Sequence, residues 1–143
     1  LNFIMAGDGE LRAECLSIAP PNAHFVGVQD ANKMWSIADV VLLTSDSEGM
    51  PLTLIEGQMA GVPAVATNVG SVGEVVIDGE TGLLAKPDID DLSRQLEAIS
   101  SDNSWRLRMS KNAEKRARDF FSIESMAMAH LDLYRNILKE KSA

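Results

Sequence analysis

The sequence predicts an α/β fold, with parallel strands, helices on both faces and a helical appendage at the C-terminal end. Three observations carry this expectation. Short apolar runs alternate with helical patterns through residue 85, the order that builds parallel sheets from strand–helix–strand units. The strongest run, Val40-Val41-Leu42-Leu43-Thr44, is continuously β-branched or leucine, as a strand covered on both faces requires. Roughly the last 40 residues carry helical patterns alone.

Each element has a local reason. Phe3-Ile4-Met5-Ala6 reads as a buried strand ended by Gly7-Asp8-Gly9, and Glu10 to Ile18 as a helix stopped by Pro20-Pro21-Asn22. His24-Phe25-Val26 is a second strand. Asp30 to Ile37 is a short helix, with Asp30 suited to cap it. After the Val40–Thr44 strand comes a polar loop, Ser45-Asp46-Ser47-Glu48-Gly49. Pro51 then fits the first position of a helix reaching about Ala60. Gly61 and Pro63 stop that helix. Ala64-Val65-Ala66-Thr67 is another strand, Val72 to Ile77 one or two helical turns, and Gly82-Leu83-Leu84-Ala85 a last strand after the turn Asp78-Gly79-Glu80-Thr81-Gly82. Helices over about Asp90–Ser100, Ser104–Asp119 and Ser122–Lys139 close the chain. Ligands of such sheets sit beyond the carboxyl ends of the strands, so the loops after Ala6, Val26, Thr44 and Thr67 are the ones to watch.

The 143 residues, 45% hydrophobic and 24% charged, suit one globular domain. A single cysteine excludes a disulfide framework and a cysteine-based zinc site. No apolar run approaches the length of a membrane span, and Leu1-Asn2-Phe3-Ile4-Met5 does not have the form of a signal peptide. With no initiator Met and a strand at once, the chain reads as a piece of something longer. A net charge of −8 argues against nucleic acid as a partner, since phosphate binding needs clustered cations. The charge is uneven: residues 1–104 carry −12 and residues 105–143 carry +4. The basic cluster Arg106, Arg108, Lys111, Lys115, Arg116 and Arg118 reads first as a solvated helix face, and second as a membrane-surface or partner-docking patch.

The stretch Thr44–Ala60 is the most informative. A buried strand delivers the chain to Glu48, and a helix starts just after it. The first amides of that helix, on Leu52 and Thr53, have no partner within it. Together with the positive end of the helix dipole they form a ready anion site. Glu48 beside such a site either offsets the dipole or reads hydroxyl groups on a ligand whose phosphates sit on the amides. Glu56 lies in an otherwise apolar helix and shares a face with Leu52, Thr53, Met59 and Ala60. Gly57 and Gly61 weaken that helix, so close packing or close approach of a ligand is expected at both.

Ser45, Glu48-Gly49-Met50-Pro51-Leu52, Leu54-Ile55-Glu56, Ala60-Gly61-Val62-Pro63-Ala64-Val65-Ala66-Thr67, Gly70, Glu74-Val75-Val76, Asp78-Gly79 and Thr81-Gly82-Leu83-Leu84 form a pattern. This pattern resembles the donor-binding domain of retaining GT-B glycosyltransferases of family 4, also called group 1 glycosyl transferases. The two glutamates match its E-x7-E motif, which is weak alone and specific in this setting. Gly7-Asp8-Gly9, Phe25-Val26-Gly27 and Ala38-Asp39-Val40 match in order, so the resemblance spans about residues 2–136.

The resemblance implies a Rossmann-like parallel sheet, half of a GT-B fold, with residues 1–143 as a nucleotide-sugar binding domain incomplete at its N-terminal end. It implies that Glu56 binds ribose hydroxyls, and that Glu48 and the amides of Gly49 and Met50 lie against the transferred sugar. The amides of Leu52 and Thr53 face the diphosphate, and the backbone at Val28 meets the base, with Lys33 a weaker candidate there. Pro51 departs from the family, because many members have an N–H at that position. Gly57 stands where Ala is usual. Family members usually carry a preceding strand and helix with an Arg and a Lys that clamp the diphosphate. In the strand order 3-2-1-4-5-6 that strand is central. An acceptor domain is absent too, so the piece alone is expected to be inactive and marginally stable.

The implied activity is sugar transfer, with retention, from a nucleotide-sugar to a glycan or lipid-linked acceptor held by the absent domain. No metal or other cofactor is expected. The implied setting is cytoplasmic, with peripheral contact at the inner membrane surface as a further expectation for the full protein. The competing reading is a non-catalytic nucleotide-sugar binding module on the same fold, and a weaker one is another GT-B enzyme such as a phosphorylase or epimerase. Other features have bland readings. Gly7-Asp8-Gly9-Glu10 lacks the third glycine of a dinucleotide fingerprint, where Arg12 stands. Asp88-Ile89-Asp90 opens a helix and reads as a cap. His24 and His130 read as structural, Cys15 as a small buried hydrophobe, and Met126, Tyr134, Ile137 and Leu138 as packing, while the resemblance, in which the last helix crosses back to the acceptor domain, implies that part of that stripe is exposed here.

Overall fold

The computed structural model describes residues 1–140. The chain divides into two compact units, Leu1–Ala38 and Asp39–Ala143. The first unit contains β1 (Phe3–Ala6), α1 (Arg12–Ile18), β2 (Ala23–Gly27) and α2 (Ala31–Trp35). β1 and β2 pair in parallel, Phe3 opposite Ala23 and Met5 opposite Phe25, with a shift in register at Ala6. Asp30 caps α2 as expected, its Oδ1 accepting from the Lys33 amide at 3.1 Å.

The second unit begins with β3 (Val41–Leu43), α3 (Leu52–Met59), β4 (Ala64–Thr67), α4 (Val72–Val75) and β5 (Gly82–Ala85). Three long helices follow: α5 (Ile89–Ser101), α6 (Asn103–Phe121) and α7 (Ile123–Glu140). The three strands form a parallel sheet in the order β3-β4-β5. All four residues of the central strand β4 are buried. Successive strand residues face opposite sides, so both faces of the sheet are covered at this strand. α3 packs on β3 and β4, and α5 on β4 and β5. The core contains Val65, Leu83, Ile99 and Met109, with Leu92, Leu96 and Trp105 packed against it.

Several local expectations are corrected. β1 is not the buried strand its apolar run predicts, because Ile4 and Met5 are exposed, and α1 and α2 are shorter than expected. β3 is Val41–Leu43, shorter than Val40–Thr44, because it pairs with β4 only from Val41–Ala64 to Leu43–Ala66. Pro51 stands just before α3 rather than at its first position. Its ψ of 99° is extended, while its carbonyl accepts from the amides of Leu54 and Ile55. Cys15 is half-buried rather than buried, since α1 buries none of its residues.

The helix ends follow the expected chemistry. α3 closes with Gly61 at φ 75°. The Gly61 amide donates to Gln58 O at 2.9 Å and the Val62 amide to Gly57 O at 2.8 Å. These are the two bonds of a Schellman stop, which needs a left-handed residue. Asp88 caps α5, its Oδ1 accepting from the amides of Asp90 and Asp91, so Asp88-Ile89-Asp90 is a helix start as the sequence reads. The basic run on α6 is largely occupied. Arg106 pairs with Asp39, Lys115 with Asp119 and Arg118 with Glu114. Arg116 donates to the carbonyls of Glu74 and Val75 at the end of α4 and lies over the Phe120 ring. Met126, Tyr134, Ile137 and Leu138 on α7 are all exposed, the whole stripe and not only the part that the resemblance implies. No helix among the described residues is long and apolar enough to cross a membrane.

Candidate functional site

Six of the seven sequence-predicted site residues lie on one continuous turn and helix face of the second unit. β3 ends at Leu43, the loop carries Glu48, Gly49 and Met50, and α3 starts at Leu52. Glu48 is half-buried, while Gly49, Met50, Leu52, Thr53 and Glu56 are exposed. Leu54, Gly57 and Gln58 form the buried side of α3. Glu56 therefore belongs to the accessible face, one helical turn along from Leu52 and Thr53. The packing expected at Gly57 is present, since that residue is buried.

The polar groups of this face are uncommitted. The amides of Gly49, Met50, Leu52 and Thr53 donate to no acceptor among the described residues. The carboxylates of Glu48 and Glu56 make no hydrogen bond or ion pair there either. Pro51 contributes no N–H. Unpaired amides at a helix start carry the positive end of its dipole, so the surface offers donors for an anion and two acceptors for hydroxyl groups. Val28 belongs to the first unit, just after β2, and is 79% exposed. Lys33 lies on α2, also exposed.

The loop is braced from the segment after β4. Thr67, the buried last residue of β4, donates its hydroxyl to Ser45 O at 2.6 Å. Gly70 has φ 52° and lies against the main chain of Glu48. A Cβ built there would overlap the Glu48 carbonyl oxygen and stand 2.9 Å from its carbonyl carbon. Thr67 and Gly70 carry no role among the sequence-predicted site residues, although both belong to the pattern that resembles the family. Their signal in the sequence is position: they stand at the carboxyl end of β4 and in the loop that follows it, where ligands of such sheets sit.

Two open cavities adjoin the carboxyl ends of the strands. One of about 410 Å³ is lined by residues including Thr44, Asp46, Thr67, Asp88 and Ser93. The other, about 390 Å³, is lined by residues including Asn68, Asp78, Lys86 and Asp91. Neither is lined by Glu48 or Glu56. Among the described residues no group of three or more His, Cys, Asp or Glu is placed to hold a metal. His130 Nδ1 lies 2.8 Å from Met126 O, a local helix contact, and His24 sits within β2.

Comparison with known proteins supplies the family context. The profile of the family described as "Glycosyl transferases group 1" matches residues 1–116. The N-acetyl-alpha-D-glucosaminyl L-malate synthase of Bacillus anthracis is 27% identical over 146 residues, covering 96% of this chain and 38% of that protein. The solved structure of sucrose-phosphate synthase from Thermosynechococcus elongatus superposes with a TM-score of 0.82 at 29% identity, covering 96% of this chain and 38% of the other. Alr3699/HepE of Anabaena, solved in complex with UDP, superposes with a TM-score of 0.85 at 21% identity, over 95% and 41% of the two chains. The chain thus spans about two fifths of the length of these relatives, and its architecture is that found in GT-B glycosyltransferases.

Proposed function

The chain belongs to the group 1 glycosyl transferases, and from that premise we propose that it binds the nucleotide-sugar donor of a retaining, hexosyl-type glycosyltransferase. Residues 1–143 form that donor domain in part. The acceptor, a glycan or lipid-linked glycan, is held by a domain outside this chain. The enzyme works without a metal, in the cytoplasm or peripherally at the inner membrane surface, and the piece alone does not turn over.

In this reading the α3 amides of Leu52 and Thr53 take the diphosphate, and the Glu56 carboxylate accepts from the ribose hydroxyls. Glu48 and the amides of Gly49 and Met50 hold the sugar, and the backbone at Val28 meets the base. The leaving group is a nucleoside diphosphate, so the main catalytic demand is to stabilise charge that grows on it. Fixed amides at a helix start meet that demand without reorganising. A proton donor to the leaving oxygen is not required, and two acids eight positions apart along a loop and helix do not make the facing pair of a glycoside hydrolase. One observation carries the proposal: four free amides and two unpaired carboxylates share one turn and helix face. The UDP bound by the Anabaena relative supports the ligand class.

The test is calorimetry on the full-length parent protein with UDP, GDP and ADP. One of the three is expected to bind, and Glu56→Ala is expected to weaken it by about 10-fold or more. A hydrogen bond to a charged group is worth about 1.5–3 kcal/mol, and 1.4 kcal/mol is tenfold. Unchanged affinity in that variant removes the ribose assignment. Selective binding without any sugar transfer favours the non-catalytic module.

A further inference from the structure

We propose that Gly70, with Thr67, is a positioning residue for sugar transfer: it fixes the peptide that joins Glu48 to Gly49. This rests on the function proposed above and concerns residues to which that reading assigns no role.

The loop between β3 and α3 is polar and mostly exposed, so its conformation needs an external brace. Thr67 supplies one fixed point. It is buried at the end of the central strand, its neighbour Asn68 donates its amide to Ala85 O at 2.7 Å, and its hydroxyl holds Ser45 O. Gly70 supplies the second. Its left-handed φ of 52° and the overlap of a Cβ with the Glu48 carbonyl oxygen mean that only glycine lets the two main chains lie together.

The consequence follows from peptide geometry. The Glu48 C=O and the Gly49 N–H belong to one planar unit. Pushing the carbonyl oxygen away from residue 70 therefore rotates the Gly49 N–H and shifts the Glu48 Cα together. Glu48 and the Gly49 amide are two of the three groups assigned to the sugar, the third being the Met50 amide. The amides of Leu52 and Thr53 and the Glu56 side chain sit beyond Pro51 on α3, which is anchored separately by buried Leu54, Gly57 and Gln58. Gly70 thus governs the sugar end of the site and leaves the diphosphate end in place.

The structure provides its own control. Gly79 also has a left-handed φ, 75°, but a Cβ there meets nothing within 4 Å. Gly70→Ala and Gly79→Ala impose the same kind of backbone cost, and only the first presses on Glu48. The two variants are made in the full-length parent. Release of nucleoside diphosphate from UDP-, GDP- and ADP-sugars is measured with added glycan acceptors, beside nucleoside diphosphate affinity and Tm. Gly70→Ala is expected to lower kcat at least 10-fold while diphosphate Kd moves less than 3-fold, and Gly79→Ala to keep kcat within 2-fold. Thr67→Val is expected to lower kcat several-fold and Thr67→Ser to restore it. That pair tests the brace without altering a left-handed residue, so it decides the matter if Gly70→Ala does not fold. A wild-type kcat in Gly70→Ala overturns the proposal. So does a parallel fall of kcat with Tm in both glycine variants, or a wild-type kcat in Thr67→Val. A wild-type parent that binds no nucleoside diphosphate and transfers no sugar overturns the functional reading, and this inference falls with it.

Discussion

β1 and β4 are short parallel strands of four residues, and their sequences look alike: Phe3-Ile4-Met5-Ala6 and Ala64-Val65-Ala66-Thr67. β4 buries every residue, whereas β1 leaves Ile4 45% and Met5 49% exposed. No residue of the first unit is buried, and the whole core belongs to the second. The difference lies in neighbours. β4 is flanked by a strand on each side and by α3 and α5. β1 has one partner strand, and a two-stranded sheet is marginal without further cover. Apolar character makes a strand eligible for burial, and the number of covered sides decides whether burial occurs.

Matched substitutions in the two units sharpen that contrast. The largest difference is expected from core truncation. Leu54→Ala should cost about 2–5 kcal/mol in urea unfolding, since it empties a fully buried site. Met5→Ala, at a half-exposed site, should cost below about 1 kcal/mol. Equal costs would mean that β1 is packed in solution as tightly as α3, which would break the comparison.

Left-handed glycines come next. Gly61→Ala, at φ 75° in the α3 stop, should lower global stability by about 1–2 kcal/mol. Gly27→Ala, at φ 69° with open space for its methyl group, carries a similar local cost. Without a core around it, that cost should appear as faster amide exchange in β2, with the unfolding midpoint unmoved. A midpoint shift equal to that of Gly61→Ala would show the two units melting as one.

The smallest effect is expected from the caps. Asp88→Ala frees two amides of α5 and should cost about 1 kcal/mol globally. Asp30→Ala frees one amide of α2 and should only loosen that helix, as read by exchange of the Lys33 amide. A global cost from Asp30→Ala as large as that from Asp88→Ala would contradict the division.

Much of this was legible in the residues. β1, β4 and β5 span the residues their apolar runs indicate, and the Gly61 and Asp88 signals mark a helix stop and a helix start as read. The cluster from Gly49 to Glu56 was legible because it is local: a turn and the first helical turns bring neighbours in sequence together. β3 proved shorter than its apolar run, because ladder length depends on the partner strand as well as on composition. α7 kept its stripe exposed, because periodicity reports a face and not what covers it.

The sequence alone determined the elements, their order, their caps and the composition of the candidate site, all of which depend on residues within a few positions of one another. Tertiary structure decided which apolar strand is covered, and that Gly70 and Thr67 press and hold a loop 22 residues earlier in the chain. Those outcomes depend on how separate segments meet, and no local pattern encodes the distance between two loops.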